Sequence, residues 1–333
     1  MVRGRIVEPL EKPDRASALA EALKDAGLRL AVPGDAGPDP IFAVHSQAYI
    51  TFLQDAFGEF SRLPARGPEL LPNVHPYRGA DASFEPRLPP RSSGIIGRAG
   101  WFVGDMACAI MDGTWRAAYA SAQTAVAGAD AVLAGQRAAY ALCRPPGHHA
   151  YADRASGFCF LNNAAIAAER LRDRFERVAI IDFDTHHGDG TQSIFYARDD
   201  VFVASVHTDP SAFYPFYLGF ADERGAGAGA GANLNIPLAP GSGDAAYVEA
   251  VSQLAAAARS FGAEALVISA GWDAHRDDPL SGLQVSTEAY ARLGETLGRL
   301  RLPSLVVQEG GYSLAAISEA APRFAKAFLN AGG

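Results

Sequence analysis

Cysteine is scarce. Only Cys108, Cys143 and Cys159 occur in 333 residues, an odd number without the paired spacing of a zinc knuckle or a disulfide framework. That predicts a reducing, cytoplasmic setting. Long hydrophobic runs are missing too: no stretch reaches the roughly 18 apolar residues of a membrane span, and the opening MVRGRIVEPLEKPDR has no apolar core of a secretion signal. Runs of Lys and Arg are absent, and 29 Lys+Arg against 37 Asp+Glu leave a formal net charge of −8, a poor match for phosphate contacts with nucleic acid. Neither HExxH nor GxSxG is present, which excludes the zincin and nucleophile-elbow classes. Internal repeats are lacking. GAGAGAGA at 225–232 is the one low-complexity stretch, and it leads into a strand rather than a helix, so it is no dinucleotide fingerprint.

What is present reads as an ordinary globular chain, with 49% hydrophobic and 20% charged residues. From about Ala138, short apolar runs alternate with helical stretches. YALC (140–143) precedes NNAAIAAERLRD, VAIIDFD (178–184) precedes TQSIFYA, and VFVASVH (201–207) and NLNIPL (233–238) precede DAAYVEAVSQLAAAARSF. ALVISAG (265–271) is followed by STEAYARLGETLGRL, and PSLVVQEG (303–310) by a helix from about Leu314. Strands apolar throughout and separated by helices predict a doubly wound α/β fold, a mostly parallel sheet sandwiched by helices, in one domain over 1–333. Helices are also expected near 15–26, 46–60 and 114–134, the last capped by Thr114. Residues 63–100 are too rich in Pro, Gly and Ser for regular structure and read as a long functional loop.

Five of the eight histidines lie between 148 and 207, just after predicted strands, in RPPGHHA (144–150), DFDTHHGDG (182–190) and SVHTDP (205–210). GWDAH (271–275) and EGGYS (309–313) end two more strands. Ligands of open α/β sheets bind outside the carboxyl ends of the strands, so these segments should converge on one crevice. Asp184 and His186 are spaced to reach one ion as the chain leaves its strand, and Asp273 can supply a third ligand with a position left open for water. Two carboxylates and one imidazole suit zinc, with ferrous iron as the alternative. A lone strand-end His or Asp is more often a turn residue than a ligand, but adjacent histidines beside aspartates are costly to bury unless paired or bound. His45 and His75 read as packing or surface residues, and the cysteines as small core residues.

Together RPPGHHA, GFCFLNNAAIAA, IDFDTHHGDGTQ, the Asp273 segment and EGGY resemble the zinc-dependent histone deacetylase family of the arginase/deacetylase superfamily, and within it the bacterial acetylpolyamine amidohydrolases. The resemblance runs from about Gly113 to the C-terminus. It implies that Asp184, His186 and Asp273 ligate zinc, that Tyr312 donates to the transition state, and that His148 and His149 form a tandem pair partnered by Asp182 and Asp189, His149 being the general base and acid. It implies a potassium ion held by Asp182, Asp184, the His186 carbonyl, Ser205 and the Val206 carbonyl. Gly157, Phe158 and Tyr214 would line a tunnel for the substrate's methylene stem, with His207 among the substrate-side residues.

The activity this implies is removal of acetyl groups from acetylated polyamines or other small primary amines. Alternatives are a protein or peptide lysine deacetylase, a catalytically silent metal-binding or partner-binding relative, and an arginase-like binuclear manganese hydrolase. In IIGRAGW, Ile96 stands where polyamine enzymes place a glutamate for a distal ammonium, and GWDAHRDDPL is closer to class II deacetylases. Asp81 or Glu85 could receive that ammonium instead. A homodimer is expected, with residues 63–100 narrowing the active-site mouth and burying Leu70, Leu71, Tyr77, Phe84, Ile95, Ile96 and Trp101.

Overall fold

A strand that is apolar at every position can be buried only if both faces of its sheet are covered, and this decides the architecture. The computed structural model describes residues 8–76 and 89–332. Its elements, in chain order, are α1 (Asp14–Asp25), α2 (Asp39–Phe42), α3 (Gln47–Phe60), α4 (Ile95–Phe102), α5 (Thr114–Leu133), β1 (Ala138–Ala141), α6 (Asn163–Leu171), β2 (Val178–Asp182), α7 (Asp189–Phe195) and β3 (Val201–Thr208). There follow β4 (Asn233–Leu238), α8 (Asp244–Phe261), β5 (Ala265–Ala270), α9 (Thr287–Gly298), β6 (Ser304–Gln308) and α10 (Leu314–Ala331). The strands form one parallel sheet in the order β1-β6-β5-β2-β3-β4.

Alternate side chains divide the core in two. Val178, Ile180, Val203, Val267, Leu305 and Val307 pack with α3, α4, α5 and α6 on one face. Ala179, Ile181, Ala204, Leu266, Ile268 and Val306 pack with α1, α8, α9 and α10 on the other. Side-chain oxygens start several helices by accepting an otherwise unpaired backbone N–H. Ser46 accepts from Tyr49 in α3, Asn162 from Ala165 in α6 and Ser313 from Ala316 in α10.

The order of the strands reverses direction at the β2–β5 pair: β2 leads through α7 to β3 on one side, and β5 leads through α9 to β6 on the other. Such a switch point leaves a crevice at the strands' carboxyl ends. Asp182 faces Ser269 in the β2–β5 register, so the segments that follow, carrying Asp184, His186 and Asp273, leave the sheet side by side.

Three expectations are corrected. Thr114 is the first residue of α5 rather than its cap: Gly113 holds the cap position with φ 87°, and the Thr114 hydroxyl instead accepts the Met111 N–H. The 63–100 segment is not without regular structure, since IIGRAGWF forms α4, and Leu70 pairs with Ile110 in an antiparallel bridge. Leu70 and Ile95 are buried within the chain, and Ile96 and Trp101 pack against its core, so these side chains need no second copy to cover them. Tyr77, Asp81, Phe84 and Glu85 lie outside the described residues.

Ile268 is wholly buried in a central strand. Ile268→Ala should lower unfolding stability by about 2–5 kcal/mol, read as a reduced urea midpoint at unchanged slope, through lost burial and the cavity left behind.

Candidate active site

The segments that end β2 and β5 meet the one that ends β6. Asp184, His186 and Asp273 each place a ligand atom within 4.8 Å of the others'. His186 Nδ1 lies 3.0 Å from Asp184 Oδ1 and 3.3 Å from Asp273 Oδ2. Ligands about 2.0–2.1 Å from a tetrahedral ion stand about 3.3 Å apart, so the donors already have the spacing of a coordination shell. Both carboxylates are fully buried, and Asp273 Oδ2 accepts no hydrogen bond. Burial, then the charge of Asp184, pushes the Asp273 carboxyl up to about 7. Burial alone would lower the His186 imidazole, but Asp184 and Asp273 push it up to about 10. Buried groups that hold protons this readily form an electrostatic well for a compact cation, and the donor set fits a divalent metal. Gly310 permits the crowding: a Cβ there would collide with the carboxylates of Asp273 and Asp184.

Beside this trio stand the tandem histidines. His148 Nδ1 donates to Asp182 Oδ2 at 2.9 Å, and His149 Nδ1 donates to Asp189 Oδ1 at 2.6 Å. The two pairs differ electrostatically. Burial opposes charge on both imidazoles, but Asp182 and Asp184 outweigh it at His148 and raise its pKa. At His149, burial and the neighbouring His148 charge prevail and lower it. The two imidazoles are thus biased in opposite directions, His148 toward its charged form and His149 toward its neutral one.

The walls are aromatic. The Tyr214 ring meets His149 edge-on at 5.0 Å, Phe213 stacks on His186 at 5.1 Å, and Phe158 meets Tyr312 at 5.9 Å. Gly157, at φ 55°, is required twice over, since a side chain there would be strained and would strike the His149 ring. Tyr312 sits where the β6 loop turns into α10, with the Arg15 guanidinium over its ring at 4.7 Å and its N–H donated to Asp278 at 2.6 Å.

The crevice therefore gathers Asp182, Asp184, His148, His149, His186, Asp189, Asp273, Gly157, Phe158, Tyr214 and Tyr312. His207 is placed elsewhere. It is fully buried, accepts from Ser205 Oγ at 2.7 Å and donates to the Gly219 carbonyl at 2.8 Å, which leaves it no free nitrogen for a substrate. Ser205 faces Asp182 across the β2–β3 ladder, and both it and Val206 are buried. His75 is exposed, whereas His45 is buried and accepts the Asn162 N–H at 2.9 Å, with burial lowering its pKa to about 4. All three cysteines are buried and unbridged.

Sequence reasoning missed several supports. Arg15, from α1, donates to the Gly311 and Glu309 carbonyls at 2.5 Å each, and no local pattern marks an arginine that acts 294 residues away. Asp105 accepts from the Tyr214 hydroxyl at 2.7 Å, Gly157 N at 3.0 Å and Ser156 Oγ at 3.2 Å, holding Tyr214 and Gly157 together. Tyr151, directly after HHA, donates to Asp189 at 2.7 Å, and Asp278 and Glu309 stand inside segments already singled out.

A family model described as the histone deacetylase domain matches residues 9–328. The chain belongs to this family. It is 46% identical over 323 residues to the acetylpolyamine amidohydrolase of Burkholderia pseudomallei, covering 97% of this chain and 92% of that protein. It is 42% identical over 319 residues to acetylpolyamine amidohydrolase 1 of Pseudomonas aeruginosa, covering 95% and 90%. The crystal structure of the Burkholderia pseudomallei acetylpolyamine aminohydrolase superposes with a TM-score of 0.94, covering 100% of this chain and 95% of that one. The family's fold, a parallel sheet between helices, is the one described above, and its members generally carry a metal.

Because His149 is neutral at lower pH than an ordinary imidazole, the acid limb of kcat/KM should fall below about 6.5. Asp189 raises that pKa, so Asp189→Asn should move the limb to still lower pH as well as slow turnover, read from a pH–rate profile.

Proposed function

We propose that this chain is a metal-dependent amidohydrolase that removes acetyl groups from acetylated polyamines or other small primary amines. The observation that carries the reading is the juxtaposition of the Asp184–His186–Asp273 cluster with the His148–Asp182 and His149–Asp189 pairs, beside the rings of Phe158, Phe213 and Tyr214. We assign zinc to the trio, with ferrous iron as the alternative, and potassium to Asp182, Asp184, Ser205 and the carbonyls of His186 and Val206. When bound, the divalent ion supplies Lewis-acid polarisation and lowers the pKa of water from 15.7 toward about 7.

The chain's own groups do the remainder. His149 Nε2 takes the proton of the attacking water and returns it to the leaving amine, while Asp189 and Tyr151 hold its ring. His148, kept cationic by Asp182, offers positive charge to the carbonyl oxygen as it becomes an oxyanion. Tyr312 donates its hydroxyl to that oxygen; burial raises its pKa well above 10.0, so it stays a donor across the working range. The rings of Phe158, Phe213 and Tyr214 take up a slender methylene stem. The names of the relatives support polyamines as the substrate class. Ile96, packed against the core rather than offering a carboxylate, favours acetyl-lysine peptides as the second reading.

We also propose a homodimer in which residues 63–100 border the mouth. α4 runs directly into Asp105, the anchor of Tyr214 and Gly157, and Val74, Met106 and Met111 nearby are exposed; light scattering separates a dimer's mass from a monomer's. Cytoplasmic residence is proposed on the three unbridged thiols. Among the described residues no helix is long and apolar enough to cross a membrane.

The deciding experiment compares kcat/KM for acetylputrescine, acetylcadaverine and acetylspermidine with that for an acetyl-lysine peptide. Small amines should lead; a peptide preference of about tenfold or more, about 1.4 kcal/mol, would reverse the substrate assignment. Chelation or Asp273→Ala should abolish turnover together with about one bound divalent ion per chain, and activity in metal-free protein would remove the metal from the proposal. Tyr312→Phe should keep fold and metal but lower kcat by about 10²-fold, and wild-type turnover would reduce Tyr312 to packing.

A further inference from the structure

Glu309 has no part in the chemistry above, yet its carboxylate reaches from the β6 loop to the loop of the tandem histidines, while its other oxygen, Oε1, is buried without a partner. It is fully buried, immediately after β6 and three residues before Tyr312. Its Oε2 accepts two backbone N–H groups, Gly147 at 2.6 Å and His148 at 3.1 Å. Its main chain is fixed from other directions: its N–H donates to the Ala270 carbonyl at 2.9 Å, and its carbonyl accepts from Arg15 at 2.5 Å. One residue thus joins the end of β5, helix α1, the loop that carries the tandem histidines and the loop that carries Tyr312.

We infer that Glu309 is a positioning residue for the hydrolysis: its side chain fixes the main chain at Gly147 and His148 and so sets the imidazoles of His148 and His149 in register with the Tyr312 hydroxyl. The inference rests on the activity proposed above. Gly147 and His148 follow β1 in a stretch with no ladder or helix to satisfy their N–H groups, and buried backbone donors require a partner. A side chain from the Tyr312 loop is that partner, so the separation between proton-transfer base and oxyanion donor is set by one span of covalent bonds and two hydrogen bonds. Angstrom-scale errors in such a separation cost large factors in rate while leaving binding of a flexible substrate nearly untouched. The acceptor need not be charged: burial pushes the Glu309 carboxyl up to about 7, against the opposing charge of His148. Glutamine offers the same carbonyl oxygen to both N–H groups, and alanine offers nothing.

The test uses the full-length, metal-loaded protein with acetylputrescine. Glu309→Ala should lower kcat by about tenfold or more with KM changed by less than about threefold and metal content unchanged, and Glu309→Gln should restore kcat to within about threefold. Amide hydrogen exchange at Gly147 and His148 should accelerate in the alanine variant and not in the glutamine variant, a readout independent of turnover. A wild-type kcat in Glu309→Ala, a tenfold loss in Glu309→Gln, or unchanged exchange at the two amides would each overturn the assignment. If Glu309→Ala does not fold, the glutamine variant alone decides by the same limit. Failure of the wild type on every acetylated amine would count against the activity instead, while the exchange comparison would still judge Glu309.

Discussion

Two carboxylates forced together out of water govern this molecule. Asp184 and Asp273 are wholly buried, leave adjacent strands at the point where the sheet order reverses, and share one imidazole between them. Left alone, such a pair would be among the most expensive arrangements a fold can contain, since each negative charge loses its hydration and feels the other at low dielectric. The surroundings are arranged to make it tolerable. The Gly310 N–H donates to Asp184 at 2.9 Å and the Thr185 N–H to Asp273 at 3.0 Å, and the cationic His148 stands nearby. The remaining deficit is what makes the place selective for a cation.

From that constraint the different fates of neighbouring histidines follow. His148 and His149 are adjacent, equally buried and each bonded to an aspartate, yet one is driven toward charge and the other away from it. The difference is their place in the field: His148 lies 3.8 Å from Asp184 as well as beside Asp182, whereas His149 faces Asp189 and the positive charges of His148 and His186. Division of labour between chemically identical side chains needs no special residue, only unequal distances to a common source of charge.

The fold was legible in the sequence wherever burial is periodic. VAIIDFD, ALVISAG, the α8 helix and the start of α10 appear at the expected residues, because uninterrupted apolar runs and 3.6-residue spacing admit one reading. IIGRAGWF misled because two glycines and the surrounding Pro- and Ser-rich stretch mask an apolar face that tertiary packing against α3 turns into α4. Within the site, the pairings of His148 with Asp182 and His149 with Asp189 were implied by the family resemblance, and the structure forms both. Arg15 and Asp105 were not legible, since each acts through the main chain or a hydroxyl of a distant segment and leaves no spacing to read. His207 misled for the opposite reason: it stands at a strand end like the site residues, but the last residues of β3 turn its ring toward Gly219.

The grip of Arg15 on the Glu309 and Gly311 carbonyls carries a consequence for biogenesis. Helix α1 closes against a loop 294 residues further along the chain, and that closure cannot form until the loop has been synthesised. The histidine and aspartate motifs can all be synthesised before Tyr312 has a fixed place. A nascent chain therefore holds its histidines and aspartates long before their geometry is complete, and a change that strains α1 would act on the Tyr312 loop from a helix remote from it in sequence.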